Sequence, residues 1–348
     1  MKINEQYHDL NLLENVTYEF LGRDGETHEE TEPILVEHMM DVYVNERLTM
    51  KLVCIPQHLT ELVLGRLFTE GIISSAEDVE QIYICEFGKR ARVILSKNKS
   101  GQSHEETEPI LVEHMMDVYV NERLTMKLVC IPQHLAELVL GRLFTEGIIS
   151  SADDVDQIYI CEFGKRARVI LSKNKSGQSH EENEDYVAPT PTCCTGNRVL
   201  NDYFITDQPM TPVTPVPWKK QWIFDLADCF ANGTPLHSQT WATHSCFLAC
   251  DGELLFQCED IGRHNALDKA IGYALRHNID LKKCVVYSSG RIPTDMAVKA
   301  IRAGIPVLAS KASPSAEAVA MAKEYHLTLI CAARRDRMKL FTGNNPTE

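Results

Sequence analysis

The chain has 348 residues, 44% hydrophobic content and a formal net charge of -14. That length is enough to bury cores in two or three domains, and that charge argues against a general nucleic-acid or membrane-surface binder, which needs a basic face. Any anionic ligand must therefore meet a local basic pocket.

The N-terminal segment, residues 1–27, opens with MKINEQYHDLNLLEN, which lacks the apolar core of a signal peptide. No later apolar run approaches the roughly 18 residues needed to span a bilayer, so a cytoplasmic protein without a membrane span is expected. A tandem repeat follows: residues 28–103 recur almost unchanged as residues 104–179. Within this 76-residue period the copies differ only at Thr60/Ala136, Glu77/Asp153 and Glu80/Asp156. Two near-identical copies fit poorly with a solenoid, which stacks three or more units between atypical caps. Each copy reads as a small α+β module: strands around PILVEH and RLTMKLVCIP, a helix HLTELVLGRLFTEG, and a hairpin QIYICEFGKRARVIL turning at Gly88 or Gly164.

Residues 180–239 read as a linker, acidic and then rich in Pro and Thr, with the loop TPTCCTGN carrying Cys193 and Cys194. Residues 240–348 alternate strands (253–258, 283–287, 305–309, 327–332) with helices (263–277, 295–303, 315–325), the pattern of βαβ units and a mostly parallel α/β sheet.

Right-handed crossovers place the loops after these strands on one edge of the sheet, where ligands of open α/β sheets bind and helix N-termini meet anions. Those loops are EDIGRH, YSSGRIPTD, LASKASPSA and AARRDR, and they carry Arg263, His264, Arg291, Lys311, Arg334 and Arg337. The six make a candidate cationic lining. The alternative is six solvated charges or ordinary ion pairs, with Asp260 and Asp268 as the obvious partners. No loop matches a Walker or Rossmann glycine fingerprint.

The chain has 12 cysteines, most of them inside apolar strand-like runs, where burial raises a thiol's pKa. Cys54, Cys85, Cys130, Cys161, Cys258, Cys284 and Cys331 read as such. The adjacent Cys193 and Cys194, close to Arg198 in a Pro/Thr/Gly loop, can reach and be reached. Spacing alone leaves nucleophile and inert pair equally open, and zinc is poorly supported because no second thiol pair stands at ligand spacing.

EDIGRHNALDK, SSGR, MAVKAIRAGIPVLASKASPSAEAVAMAKEYHLTLI and LVLGRLFTEGII together resemble the formate dehydrogenase accessory sulfurtransferases, the FdhD family. The resemblance runs from about Glu30 to the C-terminus, and removing one 76-residue copy leaves 272 residues, about one such protein. It implies a cytoplasmic homodimer with a cytidine-deaminase-like C-terminal domain that lacks zinc chemistry. It also implies sulfur taken from a cysteine desulfurase as a cysteine persulfide. That sulfur passes to the molybdenum of the bis-guanine-dinucleotide cofactor, destined for formate dehydrogenase. The resemblance places nucleotide contacts at Ala332, Ala333, Arg334, Arg335, Asp336 and Arg337, and the persulfide on Cys194, with Cys193 second. Many members carry C-x-x-C-G where this chain has adjacent cysteines and TGN. A non-catalytic cofactor-binding chaperone is therefore the alternative. A zinc deaminase is a remote one, because it requires H-x-E and P-C-x-x-C while this chain has HSC at His244–Cys246.

Overall fold

The computed structural model describes residues 2–5, 12–70, 72–73, 75–85, 87–95, 113–172, 189–190 and 210–347. Its elements fall into two units, one formed around residues 35–110 with the first 14 residues, the other around residues 15–34 and 111–348.

In chain order the elements begin with strands β1 (Lys2–Glu5), β2 (Leu13–Gly22), β3 (Thr27–Leu35), β4 (His38–Val44) and β5 (Arg47–Cys54), helix α1 (Leu59–Thr69), and strands β6 (Val79–Ile84) and β7 (Arg90–Leu95). The second copy supplies β8 (His114–Val120), β9 (Arg123–Cys130), α2 (Leu135–Thr145), β10 (Val155–Ile160) and β11 (Arg166–Leu171), and β12 (Pro189–Thr190) follows. The remainder runs α3 (Lys220–Ala231), α4 (Pro235–Thr240), β13 (His244–Cys250), β14 (Glu253–Asp260), α5 (Arg263–Arg276), β15 (Cys284–Ser288), α6 (Thr294–Arg302), β16 (Val307–Ser310), α7 (Ala316–Glu324), β17 (Thr328–Cys331) and β18 (Arg337–Thr342).

The first unit is a sheet ordered β1-β6-β7-β4-β5 with α1 packed on it. Strands β4 and β5 alternate buried and exposed residues, so Met40, Val42, Met50 and Leu52 meet Leu59, Val63 and Leu67 of α1 in one core. The second copy repeats that architecture as β10-β11-β8-β9 with α2, and β12 adds to its edge. The hairpin glycines, Gly88 at φ 62° and Gly164 at φ 67°, adopt the left-handed conformation that a side chain disfavours. In each copy the turn is tied down by the first histidine of the module, His38 to Gly88 O and His114 to Gly164 O, both at 2.9 Å.

An eight-stranded sheet, β14-β13-β15-β16-β17-β18-β2-β3, forms the centre of the second unit. Helices α5, α6 and α7 cover one face and α3 the other, so β13 sends Cys246 and Leu248 to one core and Phe247 and Ala249 to the other. Strands buried on both faces read as unbroken apolar runs, which is why VVYS, VLAS and TLIC show no alternation.

Several expectations are corrected. The sheet is mixed rather than mostly parallel: β15–β16 and β16–β17 are parallel, but β13 runs antiparallel to both β14 and β15, and β18 to both β17 and β2. Parallel neighbours need a long crossover, whereas β13–β14 and β17–β18 are joined by short turns that force reversal. The N-terminal segment 1–27 is not separate, since β2 pairs with β18. Nor does the module begin at His28, because β3 is the last strand of the eight-stranded sheet. The repeat's period shows where the sequence recurs and not where a structural unit starts. Finally, 180–239 is not linker throughout. Helix α3 buries Ile223, Phe224, Ala227 and Phe230 at helical spacing, and Trp218 just before it is fully buried.

Helix α2 lies against α5 in the second unit. Gly141 faces Gly272 so closely that a Cβ on either would overlap a backbone carbonyl oxygen, that of Asp268 or Glu137. On α5, Asp268, Gly272 and Arg276 stand four residues apart, which lines them up in one stripe. Asp268 is fully buried and accepts from Lys299 Nζ at 2.7 Å, Thr145 Oγ1 at 2.9 Å and Arg142 Nη1 at 3.4 Å. Asp260, equally buried, pairs with Lys269 at 2.6 Å, accepts from Asn265 at 2.9 Å and receives Ile131 N at 3.3 Å. Asn265 and Lys269 in turn donate to Val129 O and Ile131 O at 2.8 and 3.3 Å. Four residues of EDIGRHNALDK thus bind the second module rather than a ligand.

Candidate functional site

The in-register ends of β15, β16 and β17 place the loops after Ser288, Ser310 and Cys331 side by side. Because β13 pairs antiparallel with β15 and β14, its start at His244 and the end of β14 at Asp260 fall on that same edge. The loops are stitched together by short polar side chains. Ser310 Oγ donates to Gly290 O at 2.6 Å and accepts from Ala312 N at 3.0 Å, while Ser289 Oγ accepts from Ser245 N at 2.9 Å. Ala333 N and Lys311 N donate to Ser310 O and Ser288 O, at 2.9 and 3.1 Å. Tyr287 Oη donates to Ala333 O at 2.9 Å, and burial holds that phenol protonated. Ala332 adopts a left-handed φ of 48°, which turns the chain away from the sheet as the loop begins.

The predicted cations divide into groups. Arg263, at the first turn of α5, is 3% exposed, and its Nε has no hydrogen-bond partner among the described residues. Its side chain lies against Gly290, where a Cβ would meet Arg263 Cβ at 2.8 Å, so only glycine lets that loop approach. His264 pairs with Asp295 Oδ2 at 2.7 Å, and burial outweighs that carboxylate and lowers its pKa, which favours the neutral imidazole donating through Nε2. Arg291, Lys311 and Arg334 are exposed on the same edge, with Lys311 Nζ 4.8 Å from the centre of the Phe230 ring. Arg335 turns aside to Asn232 at 2.5 Å and Asp228 at 3.7 Å, and Arg337 lies 4.0 Å from Asp336. Asp260 and Asp268, the expected partners of these cations, pair with Lys269, Lys299 and Arg142 instead.

Beside this edge Glu259, which the sequence did not single out, fixes the segment leading into β13. It accepts from Thr234 Oγ1 and His237 N at 2.7 Å, Leu236 N at 2.9 Å and Thr243 Oγ1 at 3.0 Å. Burial pushes its pKa up, but the four donors outweigh burial and leave it lowered. A carboxylate with a lowered folded pKa stabilises above its unfolded pKa, and that contribution is lost as pH falls through the folded value. Glu259→Gln is therefore expected to cost about 1–3 kcal/mol at neutral pH, because an amide NH2 would face four donors. Urea unfolding of the two proteins should converge on acidification; a constant gap would refute the ionic contribution.

A separate cavity of about 920 Å³ opens between β2, the start of α3 and the C-terminal segment, with Arg23, Lys219, Trp222 and Phe224 among its walls. Its wall residue Arg23 reaches the 332–337 loop, donating to Arg335 O and pairing with Asp228, both at 3.0 Å.

The predicted persulfide residues Cys193 and Cys194 lie outside the described residues. Among the described thiols, burial raises Cys54 to about 11 and Cys130, Cys258 and Cys284 to about 12, and it raises Cys246 and Cys331 as well. Cys161 departs from the expected raised pKa. It sits in the turn after β10, where its limited burial is outweighed by backbone N–H groups, Arg166 N at 3.2 Å among them, and its pKa is lowered.

Among known proteins, the chain matches the FdhD/NarQ family over residues 35–110 and again over 111–347, with the break one repeat period after the first start. It is 32% identical to the sulfur carrier protein FdhD of Bacillus pumilus over 257 residues, 73% of this chain and 95% of that one. It is 29% identical to the FdhD of Listeria innocua over 248 residues, 70% of this chain and 94% of that one. A crystal structure from Desulfotalea psychrophila, assigned as a formate dehydrogenase accessory protein, superimposes with a TM-score of 0.53 at 26% identity, covering 67% of this chain and 88% of the other. With family matches over residues 35–110 and 111–347 and a relative 32% identical over 73% of the chain, the chain belongs to the FdhD/NarQ family of sulfur carrier, formate dehydrogenase accessory proteins.

Proposed function

We propose that the chain carries sulfur as a persulfide on Cys194, assisted by Cys193, and delivers it to the molybdenum of a bis-guanine-dinucleotide cofactor bound as cargo at the loop edge, for formate dehydrogenase. The thiolate of Cys194 attacks the outer sulfur of a desulfurase persulfide, the donor's S–S bond breaks, and the donor leaves as a thiolate. That step needs an accessible thiol with a lowered pKa, and in the sequence Arg198 follows Cys194 within the same Pro/Thr/Gly segment. The described buried thiols, at about 11 or above, suit it poorly. The C-terminal domain is read as cytidine-deaminase-like and the working protein as a cytoplasmic homodimer.

The observation that carries the cargo reading is Arg263, a guanidinium almost wholly buried at the loop edge with an Nε that no described residue satisfies. A buried donor without a partner is costly, and a phosphate oxygen would relieve that cost. The loops at Arg291, Lys311 and 332–337 supply further charge at a strand end where anions bind in open α/β sheets. Support for sulfur carriage comes from the curated relatives, which are named sulfur carrier proteins, and for the client from the Desulfotalea protein's assignment to formate dehydrogenase.

Calorimetry with GDP on the exposed Arg334→Ala tests the edge. Loss of one charge-assisted bond, about 1.5–3 kcal/mol, lowers affinity with little change in ligand-free stability; unchanged affinity removes Arg334 from the site. For sulfur carriage, Cys194→Ala is expected to abolish formate dehydrogenase maturation while GDP binding persists, and Cys193→Ala to reduce maturation partly. Mass spectrometry after incubation with a desulfurase and cysteine should place one extra sulfur on the peptide holding Cys194. Full maturation by the double variant would instead make the chain a cofactor chaperone.

A further inference from the structure

The repeat makes a controlled comparison within one chain, because α1 and α2 have the same sequence apart from Thr60 and Ala136. Their environments differ sharply. Among the described residues nothing lies within 4 Å of a Cβ added at Gly65, whereas Gly141 is in backbone contact with α5. Ile55 is 44% exposed and Ile131 4%, and Thr69 is exposed while Thr145 is 2% exposed. Phe68 is 56% exposed, while Phe144 packs at the margin of the cores that meet α5.

Every group that the second module uses against α5 and α6 has an identical counterpart in the first. Val129, Ile131, Glu137, Gly141, Arg142 and Thr145 correspond to Val53, Ile55, Glu61, Gly65, Arg66 and Thr69. Each module also closes its own core, and the backbone repeats down to the left-handed residues His58 and His134 at φ 51° and 53°. The α1 face is thus formed in advance, so docking would carry little further ordering cost.

We infer that the first module is a second, interchangeable occupant of the α5 seam in its own chain: α1 replaces α2 over Asp268, Gly272 and Arg276, giving two docked isomers with the same seam chemistry. Contacts common to both isomers cancel, so the seam itself does not discriminate between them. What remains is the Thr60/Ala136 difference and the tethers. Only Val36 and Glu37 separate β3, a strand of the eight-stranded sheet, from β4 of the first module. Because α1 and α5 belong to one chain, docking of α1 is intramolecular, and its effective concentration is set by whether this link spans the two sites, which a crosslink within the monomer reads directly.

The test uses the full chain with Gly65→Leu, Gly141→Leu and both. The open space around Gly65 shows that the module itself tolerates a side chain there, so Gly141→Leu blocks docking of α2 without unfolding its module. Each single variant is expected to keep near-wild-type stability of the α5 unit in urea, and the double variant to lose docking. If Gly141→Leu alone is as damaging as the double, the inference fails. As a second reading, Arg276 meets Glu137 at 2.5 Å across the seam. In the Gly141→Leu background, Glu61→Cys with Arg276→Cys should therefore crosslink within a monomer under a short bismaleimide, mapped by peptide mass spectrometry. Crosslinks found only in dimers would assign the α1 face to a second copy of the chain, and no crosslink would leave α1 without this role; either result overturns the inference.

Discussion

Asp268→Ala is expected to cost about 3–5 kcal/mol of unfolding free energy, the range seen when one partner of a buried ion network is removed. The fully buried carboxylate accepts from Lys299, Thr145 and Arg142, so truncation leaves two cations facing each other in a site with little solvent. Arg142 retains Glu146 at 2.9 Å, which makes Lys299 the more exposed to the loss. Burial already lowers the pKa of Lys299. A folded amine with a lowered pKa destabilises below that pKa and ceases to do so as pH rises through it, so the deficit should shrink at alkaline pH. Urea unfolding of the variant from neutral to alkaline pH measures both effects. A deficit near 1 kcal/mol without pH dependence would mean that water replaces the carboxylate.

Gly272→Leu is the second large effect, expected near 3 kcal/mol, the upper end of overpacking costs, because the collision is with backbone. A Cβ there overlaps Glu137 O and comes within 2.9 Å of Gly141 N, and neither can move without moving a helix. Packed helices approach to about 8–10 Å between axes, and a glycine pair sets the near limit of that range. Separation would uncover Ile131 and Phe144, whose counterparts Ile55 and Phe68 are exposed in the first module, beside an opened charge network. Limited proteolysis and an apolar dye should report that exposure. Because α5 is single while its partner helix is duplicated, no exchange of modules rescues this variant, and wild-type behaviour would show that the seam does not hold the module.

The alternation of strands and helices after residue 240 was legible because period and length suffice for βαβ units. Strands β2 and β18 were not, since no helix joins LENVTYEFLG to β3 or RMKLFT to β17, and only the distant pairing of β2 with β18 reveals them. Phase was the harder loss. A repeat fixes a period, while the seam between module and domain is set by which residues meet α5, and identical copies cannot say which one does. The same limit applied to EDIGRHNALDK, where one helix turns Arg263 and His264 to the loop edge and Asp268, Gly272 and Arg276 to the module. Consecutive residues share a motif but not a face, and the acids expected beside the arginines are turned away from them.

The pairing of β2 with β18 also bears on synthesis. Glu19 sits opposite Leu340 and Gly22 opposite Arg337, so β2 and β3 have no sheet to join until β18 has been synthesised. The extra repeat lengthens that wait but hardly alters its equilibrium cost, since closure entropy grows with the logarithm of the loop and adds only about 0.2 kcal/mol here. Rate is another matter. Contacts between chain ends form late, and unpaired strands waiting for them are open to wrong partners. A nascent chain stopped before Arg337 should hold its modules folded while β2 and β3 remain cleavable, and extension through β18 should protect both strands at once.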